Sequence, residues 1–107
     1  MIRGTTPTIT YNFPFAVSGI SKIRIYFLQG KDTLLTKSED DCTFSGNSVS
    51  VTLTEQETYG FSAKKRLETK SRFLLSDGTV GGTKPKFIDI EETGGNEEIL
   101  NTEGGNE

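Results

Sequence analysis

Histidine and tryptophan are absent from the sequence, and cysteine occurs only once. Without histidine the chain has no imidazole base, which excludes the common serine triad and any histidine-ligated metal site. A single cysteine excludes an internal disulfide and zinc sites built on several thiolates. These absences predict a protein that is not an enzyme and that has no catalytic, cofactor-binding or metal-binding residues.

The single thiol, Cys42, bears on where the protein is made. An unpaired cysteine is typical of proteins made in a reducing cytoplasm, whereas small secreted domains usually carry disulfides. With no histidine to activate it, Cys42 has no clear route to a catalytic role. We interpret it as a small buried hydrophobic side chain beside Phe44.

Long apolar runs are also missing. No stretch approaches the roughly 20 apolar residues of a membrane-spanning helix, and no signal-peptide pattern opens the chain. The 107 residues have room for one domain with one modest core. We therefore expect no membrane partner.

Charge is distributed unevenly along the chain. Residues 1–86 contain 12 basic and 8 acidic side chains, whereas residues 87–107 contain 7 acidic and no basic side chains. The formal net charge of −3 therefore combines a basic body with an acidic end. Such an asymmetry is typical of an interaction tail or a solvating tail.

Apolar and polar residues alternate with period two through most of the body, as they do in half-buried strands. The clearest run covers residues 48–53, where Val49, Val51 and Leu53 alternate with polar residues. Further strands are predicted over residues 8–13, 22–27, 33–36, 42–44 and 67–75, and around Ile88 and Ile90.

Turn residues fill the gaps between these runs. Gly, Asn or Asp occurs in each of residues 30–32, 45–47 and 76–78, as hairpin turns require. We expect the turn over residues 76–78 to lead directly into the final strand. The segment 17–21 is a candidate for a further short turn.

One short helix is predicted between strands. Thr54 and Glu57 match the capping-box pattern, which places a single helical turn over residues 55–59, ended by Gly60. Such a turn would cross from one sheet to the other. Tyr59 or Phe61 would then fill the corner.

Strand number and spacing predict the fold class. About seven short strands, one every 8–12 residues, are typical of an all-β, immunoglobulin-like antiparallel β-sandwich. The Cys-Trp-Cys core signature is missing, so the prediction concerns the architecture alone, and a small five- or six-stranded barrel is the alternative. We assign residues 1–92 to the sandwich and residues 93–107 to an acidic C-terminal tail rich in Gly, Asn and Glu.

The tail repeats the sequence Gly-Gly-Asn-Glu over residues 94–97 and 104–107. Between the repeats, Ile99 and Leu100 are the only apolar side chains that follow Ile90. Two adjacent aliphatic residues in an acidic segment predict a docking element, anchored by these side chains on a basic patch or a strand edge.

Lys64, Lys65 and Arg66 form the only basic run of the sequence. One interpretation is a charged sheet edge that deters unwanted strand pairing, and a second is a docking site for the acidic tail. A third is nucleic-acid binding, which the sequence pI near 5.0 and the lack of interleaved aromatic residues disfavour. Together with Ile99 and Leu100, these residues are our predicted interaction residues.

Two acidic runs are interpreted as surface features. Residues 39–41 lack the alternating acidic spacing around a glycine that calcium loops show, so we predict a solvated turn before a strand. Residues 91–92 have no marked partner for paired-carboxylate chemistry.

Several segments together resemble a known family. MIRGTTPTITYNFPF, SKIRIYFLQ, EDDCTFSGNSVSVTLTEQET and SRFLLSDGT are similar, in this order, to small structural proteins encoded in the virion or tail region of Firmicutes phages and prophages. The resemblance covers about residues 1–80 and implies no catalytic residues. The strand–helical turn–strand corner also resembles, more weakly, the N-terminal sandwich domains of phage baseplate proteins.

The resemblance implies a non-enzymatic structural or assembly role in a phage or phage-like particle. Other virion proteins, and further copies of the chain in a ring, are the expected partners. The protein would be made in the host bacterial cytoplasm and located in the virion. A carbohydrate-binding or adhesion module is the alternative. Tyr11, Tyr26 and Tyr59 are the candidates for stacking on a sugar, but each lies near an apolar stripe, which favours packing in the core or at its rim.

Overall fold

A computed structural model describes residues 1–92 of the chain, which form eight strands and one short α-helix. Two 3₁₀ turns cover Val17–Gly19 and Glu39–Asp41. No helix within these 92 residues is long and apolar enough to cross a membrane. The elements are β1 (Thr8–Asn12), β2 (Ile20–Gln29), β3 (Asp32–Ser38), β4 (Cys42–Ser45), β5 (Ser48–Thr52), α1 (Glu55–Tyr59), β6 (Leu67–Leu75), β7 (Val80–Gly82) and β8 (Lys86–Ile88).

The strands form two antiparallel sheets. The three-stranded sheet has the order β1-β5-β4, and the five-stranded sheet has the order β3-β2-β6, with β7 and β8 both pairing with the far edge of β6. The predicted all-β fold, an antiparallel sandwich of two sheets, is confirmed. Two separate sheets replace the single closed sheet of the alternative barrel.

The core lies between the two sheets and follows the predicted alternation. On β5, Val49 and Val51 are buried, whereas Ser48 and Ser50 are partly exposed on the opposite face. The same register holds on β1, β2 and β6. The buried apolar side chains are Ile9, Tyr11, Phe13, Val17, Ile23, Ile25, Phe27, Val49, Val51, Leu53, Phe61, Leu67, Phe73 and Ile90.

The helix α1 connects the two sheets and has the predicted caps. The Thr54 hydroxyl accepts a hydrogen bond from the backbone N–H of Glu57 (3.0 Å), and the Glu57 carboxylate accepts one from the backbone N–H of Thr54 (2.9 Å). Phe61 fills the corner, 2% exposed and packed beside Phe27. Of the two aromatic residues predicted for this position, Phe61 is therefore the buried one, while Tyr59 is half-buried.

Glu57 also ties the helix to the five-stranded sheet. Its second carboxylate oxygen lies 2.6 Å from the Lys37 ammonium on edge strand β3. Partial burial by itself raises the pKa of Glu57, but hydrogen bonds from Lys37 and from the Thr54 backbone outweigh it and hold the pKa below its ordinary value. One side chain thus caps the helix and anchors it to β3.

Replacing Thr54 by alanine is expected to lower the free energy of unfolding by about 0.5–2 kcal/mol, because the N-terminal amides of α1 lose their side-chain acceptor. Urea titrations of the two proteins measure this difference. Thr54→Ser keeps the hydroxyl and is the control, with less than half of the loss expected. Equal midpoints for the wild type and Thr54→Ala would contradict the capping role.

One strand was not predicted. The turn over residues 76–78 leads to β7, and the last strand, β8, follows only after that. The segment Val80–Gly82 has no alternating pattern. Gly81 lies opposite Phe73, whose ring covers it so closely that a Cβ there would lie 2.5 Å from the ring. The bare backbone of Gly81 is what allows β7 to lie against this ring.

β7 and β8 together form one interrupted edge strand along β6. Four residues of β6, from Arg72 to Thr69, face five residues of the partner, from Gly82 to Lys86, so the partner contains one extra residue as in a β-bulge. Thr83 bridges the interruption, because it exchanges hydrogen bonds with the backbone of Ser71.

Candidate interaction surface

The outer face of the five-stranded sheet carries cations from two neighbouring strands. On β2 the outward residues include Lys22, Arg24 and Tyr26, and on β6 they include Lys70 and Arg72. Because β2 and β6 are antiparallel neighbours, Arg24 lies directly opposite Arg72. Like charges in directly opposed positions of a sheet destabilise the pairing.

Only part of this positive charge is balanced within the described residues. Glu39 accepts hydrogen bonds from the Arg24 guanidinium (2.7 Å) and from the Ile23 backbone N–H (3.1 Å). The backbone hydrogen bond above all, and then Arg24, hold the pKa of Glu39 below its ordinary value. Lys22 and Arg72 form no ion pair with any residue in 1–92.

An open depression of about 280 Å³ lies among these cations. Its lining combines the charged groups with apolar surface, including Val80, which is 61% exposed at the sheet edge. The side chains around it are Lys22, Arg24, Tyr26, Arg72, Leu74 and Val80. We name this site the outer-face depression.

A second exposed apolar residue, Phe87, lies on the same face of the sheet, near the start of β6. It projects from β8 opposite Glu68 and is 51% exposed. The Arg66 guanidinium lies over its ring, 4.6 Å from the centroid, and 3.9 Å from the Asp89 carboxylate. Arg66 therefore covers part of Phe87, as cations commonly cover aromatic faces.

The structure places the predicted basic run ahead of a strand instead of on one. Lys64, Lys65 and Arg66 lie in the turn between α1 and β6, and all three are exposed. The turn is fastened by the buried Gln29 amide, which donates to the backbone carbonyls of Ser62 (2.8 Å) and Lys65 (3.0 Å). The run therefore does not form the charged sheet edge of the first interpretation.

The sheet edges are protected by other features. Lys86 reaches from β8 to the Thr10 carbonyl on β1 (3.2 Å), and Lys37 is a cation on the inner side of β3. β4 has only four residues, and the β7–β8 edge is interrupted. Short strands, bulges and charged side chains of this kind oppose pairing with another strand. The exposed faces are thus better contact surfaces than the edges.

The remaining candidate groups are structural. Cys42 is half-buried instead of buried, and it packs against the rim of the core with its thiol 3.2 Å from the Ser38 carbonyl. Burial, and then the charges of Asp41 and Glu39, raise the pKa of the thiol to about 11, so it is a poor nucleophile. Residues 1–92 bring together no group of three acidic or cysteine side chains suited to hold a metal ion.

The three tyrosines do not share one surface. Tyr11 is buried between the sheets, Tyr26 lies on the outer face of β2, and Tyr59 lies beside Arg3 at the end of α1. The three tyrosine rings therefore do not form one surface on which a sugar could stack.

Sequence reasoning missed the outer-face depression. Its signal was present as cations at alternate positions of two predicted strands, Lys22 and Arg24 in one and Lys70 and Arg72 in the other. The sequence does not show that these two strands are neighbours in one sheet, or that Arg24 pairs with Arg72. Of the predicted interaction residues, Ile99 and Leu100 lie outside the described residues, as does the whole predicted tail of residues 93–107.

Comparisons with known proteins give no further indication of the role of this surface. No protein-family model matches the chain, and no curated protein is significantly similar to it.

Proposed function

We propose that the chain is a non-enzymatic structural or assembly component of a phage or phage-like particle, in the virion or tail region, and that it acts through protein–protein contacts. The observation that supports a contact role is the outer face of the five-stranded sheet. Phe87 and Val80 are more than half exposed there. Val80 lies beside Lys22 and Arg72, which form no ion pair within residues 1–92, and Phe87 lies under Arg66. Large exposed apolar side chains beside charges are common at protein interfaces.

The particle context rests on the sequence resemblance described above. The partners in this proposal are other virion proteins and further copies of the chain, and assembly follows synthesis in the host bacterial cytoplasm. Ring-forming proteins use repeated contacts between different faces of identical subunits. A rigid sandwich with protected edges and an exposed sheet face suits such contacts.

The test is the composition of purified particles. Particles induced from the strain that carries the gene are separated on a density gradient, and their proteins are quantified by mass spectrometry. We expect the chain at a fixed copy number per particle and traceable in a cryo-electron microscopy map. Its absence from the particles, together with its presence in the lysate, would refute the proposal.

Phe87→Glu tests the contact surface in the same system. Because Phe87 is half exposed, the variant is expected to fold, but to enter particles at least tenfold less efficiently. Thr33→Glu, at an exposed position of β3, is the matched control and should be incorporated normally. Normal incorporation of both variants would show that Phe87 is not part of the contact.

A further inference from the structure

Arg72 has no acidic neighbour in the adjacent positions of the outer face. The residues opposite it on the flanking strands are Arg24 on β2 and Gly82 on β7. The next outward residues along β6 are Lys70 and Leu74. These four positions bring two further cations next to Arg72 and no carboxylate.

The carboxylates that lie near these cations within residues 1–92 are bound to other groups. Glu39 lies 2.7 Å from the Arg24 guanidinium, and Glu68 lies 3.6 Å from the Lys70 ammonium. The Arg72 guanidinium, a planar fork of N–H donors that matches a carboxylate, has no ion-pair partner in this part of the chain. Since opposed like charges destabilise a sheet, a carboxylate supplied by another molecule would relieve the opposition of Arg24 and Arg72.

Apolar side chains border Arg72 along β6. Leu74 lies two residues further along the strand, and Val80 lies opposite Leu74 on β7. Leu74 is half-buried, whereas Val80 is 61% exposed. Outward residues two apart on a strand are separated by about 7 Å. An extended peptide along β6 has the same spacing, so a carboxylate against Arg72 places the side chain two residues away against Leu74 and Val80.

These neighbours suit a peptide better than a nucleic acid. Single-stranded nucleic acids bind sheet faces by stacking their bases on exposed aromatic rings. On this face Tyr26 is half-buried, and Arg66 covers part of the Phe87 ring. The apolar surface of Leu74 and Val80 matches an aliphatic side chain, which a sugar–phosphate backbone does not have.

We propose that the outer-face depression binds an extended acidic segment of a partner protein, in which a glutamate or aspartate is followed two residues later by an aliphatic residue. The carboxylate lies against Arg72, and the aliphatic side chain lies against Leu74 and Val80. Lys22 and Arg24 draw the acidic segment to the site by their charge. The inference rests on the contact role proposed above, and it names the chemistry of the partner.

Titration of the isotope-labelled chain with short peptides tests this proposal by amide chemical shifts. The probe is Gly-Glu-Ala-Leu-Gly, capped at both ends so that the glutamate carries its one charge. We expect saturable shifts around Tyr26, Arg72 and Val80 in the millimolar range. Gly-Gln-Ala-Leu-Gly should bind roughly tenfold or more weakly, because it lacks the charge-assisted hydrogen bonds. Gly-Glu-Ala-Ser-Gly, which lacks the aliphatic group, should also bind more weakly.

Two matched substitutions locate the site. Arg72→Gln is expected to weaken binding of the probe by roughly tenfold or more. Its melting temperature should equal or exceed that of the wild type, because the substitution removes the opposition to Arg24. Lys64→Gln makes the same change of charge at an exposed position in the turn before β6 and should leave binding unchanged.

Several results would overturn the inference. One is a lack of saturable shifts on β2, β6 and β7, and another is an equal loss of binding in the two variants, which would indicate unspecific attraction by charge. Equal binding of the leucine and serine peptides, with tighter binding of an oligothymidylate, would identify a nucleic acid as the occupant. Shifts at the same residues that grow with protein concentration alone would identify a second copy.

The stability of Arg72→Gln and the particle experiment give separate answers. A melting temperature below that of the wild type would contradict the conflict between Arg24 and Arg72 on which the inference depends. Absence of the chain from particles would refute the proposed function, but it would not change the peptide titrations. The two proposals can therefore fail independently of each other.

Discussion

Replacing Val51 by aspartate is expected to destabilise the sandwich by several kcal/mol, which is enough to unfold most of the protein at room temperature. Val51 is 1% exposed, and it lies on the central strand of the three-stranded sheet between Ile9 on β1 and Cys42 on β4. Among the described residues, no buried lysine or arginine lies in the core to pair with a carboxylate at this position. Circular dichroism and thermal melts measure the loss.

Ser50→Asp is the control, one residue away on the same strand. Ser50 points to the outer face, where its hydroxyl lies 3.0 Å from that of Thr10. An aspartate there remains solvated and accepts a hydrogen bond from Thr10, so we expect a change within about 0.5 kcal/mol. Similar destabilisation by the two substitutions would show that the register of β5 is wrong.

Val51 and Ser50 show why most of the fold was predictable: neighbouring residues of a strand point to opposite faces, so the alternation of apolar and polar residues reveals the strand. Strand alternation, turn glycines and the Thr54–Glu57 capping box are local signals, readable within a few residues. They gave β5, the hairpin at Gly46 and the helix α1 close to their observed bounds. The strand β7 was missed because two of its three residues are glycines, which show no alternating pattern, although Gly81 lies directly opposite Phe73 across the turn and against its ring.

The candidate surface was predicted less well, for a related reason. The run Lys64–Arg66 is visible in the sequence because its residues are contiguous. The opposed pair of Arg24 and Arg72 depends on which strands are neighbours and in which register, and both are set by tertiary packing. A slip of one residue would place Arg72 in the core. The burial of Ser71 and Phe73 on the inner face therefore fixes the register of β6. That register places Arg72 opposite Arg24 and so creates the outer-face depression.

A hydrogen bond across the core joins the two sheets at one point. The Tyr11 hydroxyl on β1 lies 2.6 Å from the Thr69 hydroxyl on β6, and both residues are buried. Burial chiefly, opposed by the Thr69 hydrogen bond and aided by the nearby Cys42, raises the pKa of Tyr11 to about 12. The phenol thus stays protonated in the folded protein at pH values where it ionises in the unfolded chain.

Tyr11→Phe is expected to lower the free energy of unfolding by about 1–3 kcal/mol at pH 7, because Thr69 loses its buried partner. As the pH rises from 10 towards 12, the unfolded wild type loses the Tyr11 proton while the folded wild type keeps it. Unfolding of the wild type is therefore increasingly favoured, by up to about 2 kcal/mol from this group. The variant lacks the group, so the stability difference between the two proteins should shrink over this range.

Urea titrations of both proteins at pH 7, 10, 11 and 12 (values chosen to bracket the ordinary tyrosine pKa of about 10 and the raised one) measure this convergence. All other titratable groups are common to both proteins, so the difference between the two reports on Tyr11 and its interaction with the nearby Cys42. Tyr26→Phe, on the outer face, is the control for losing a phenol without losing a cross-sheet hydrogen bond, and we expect it to cost under about 0.5 kcal/mol at pH 7. A stability gap for Tyr11→Phe that stays constant from pH 7 to pH 12 would contradict a phenol held neutral by burial, and no gap at pH 7 would contradict the bridge between the sheets.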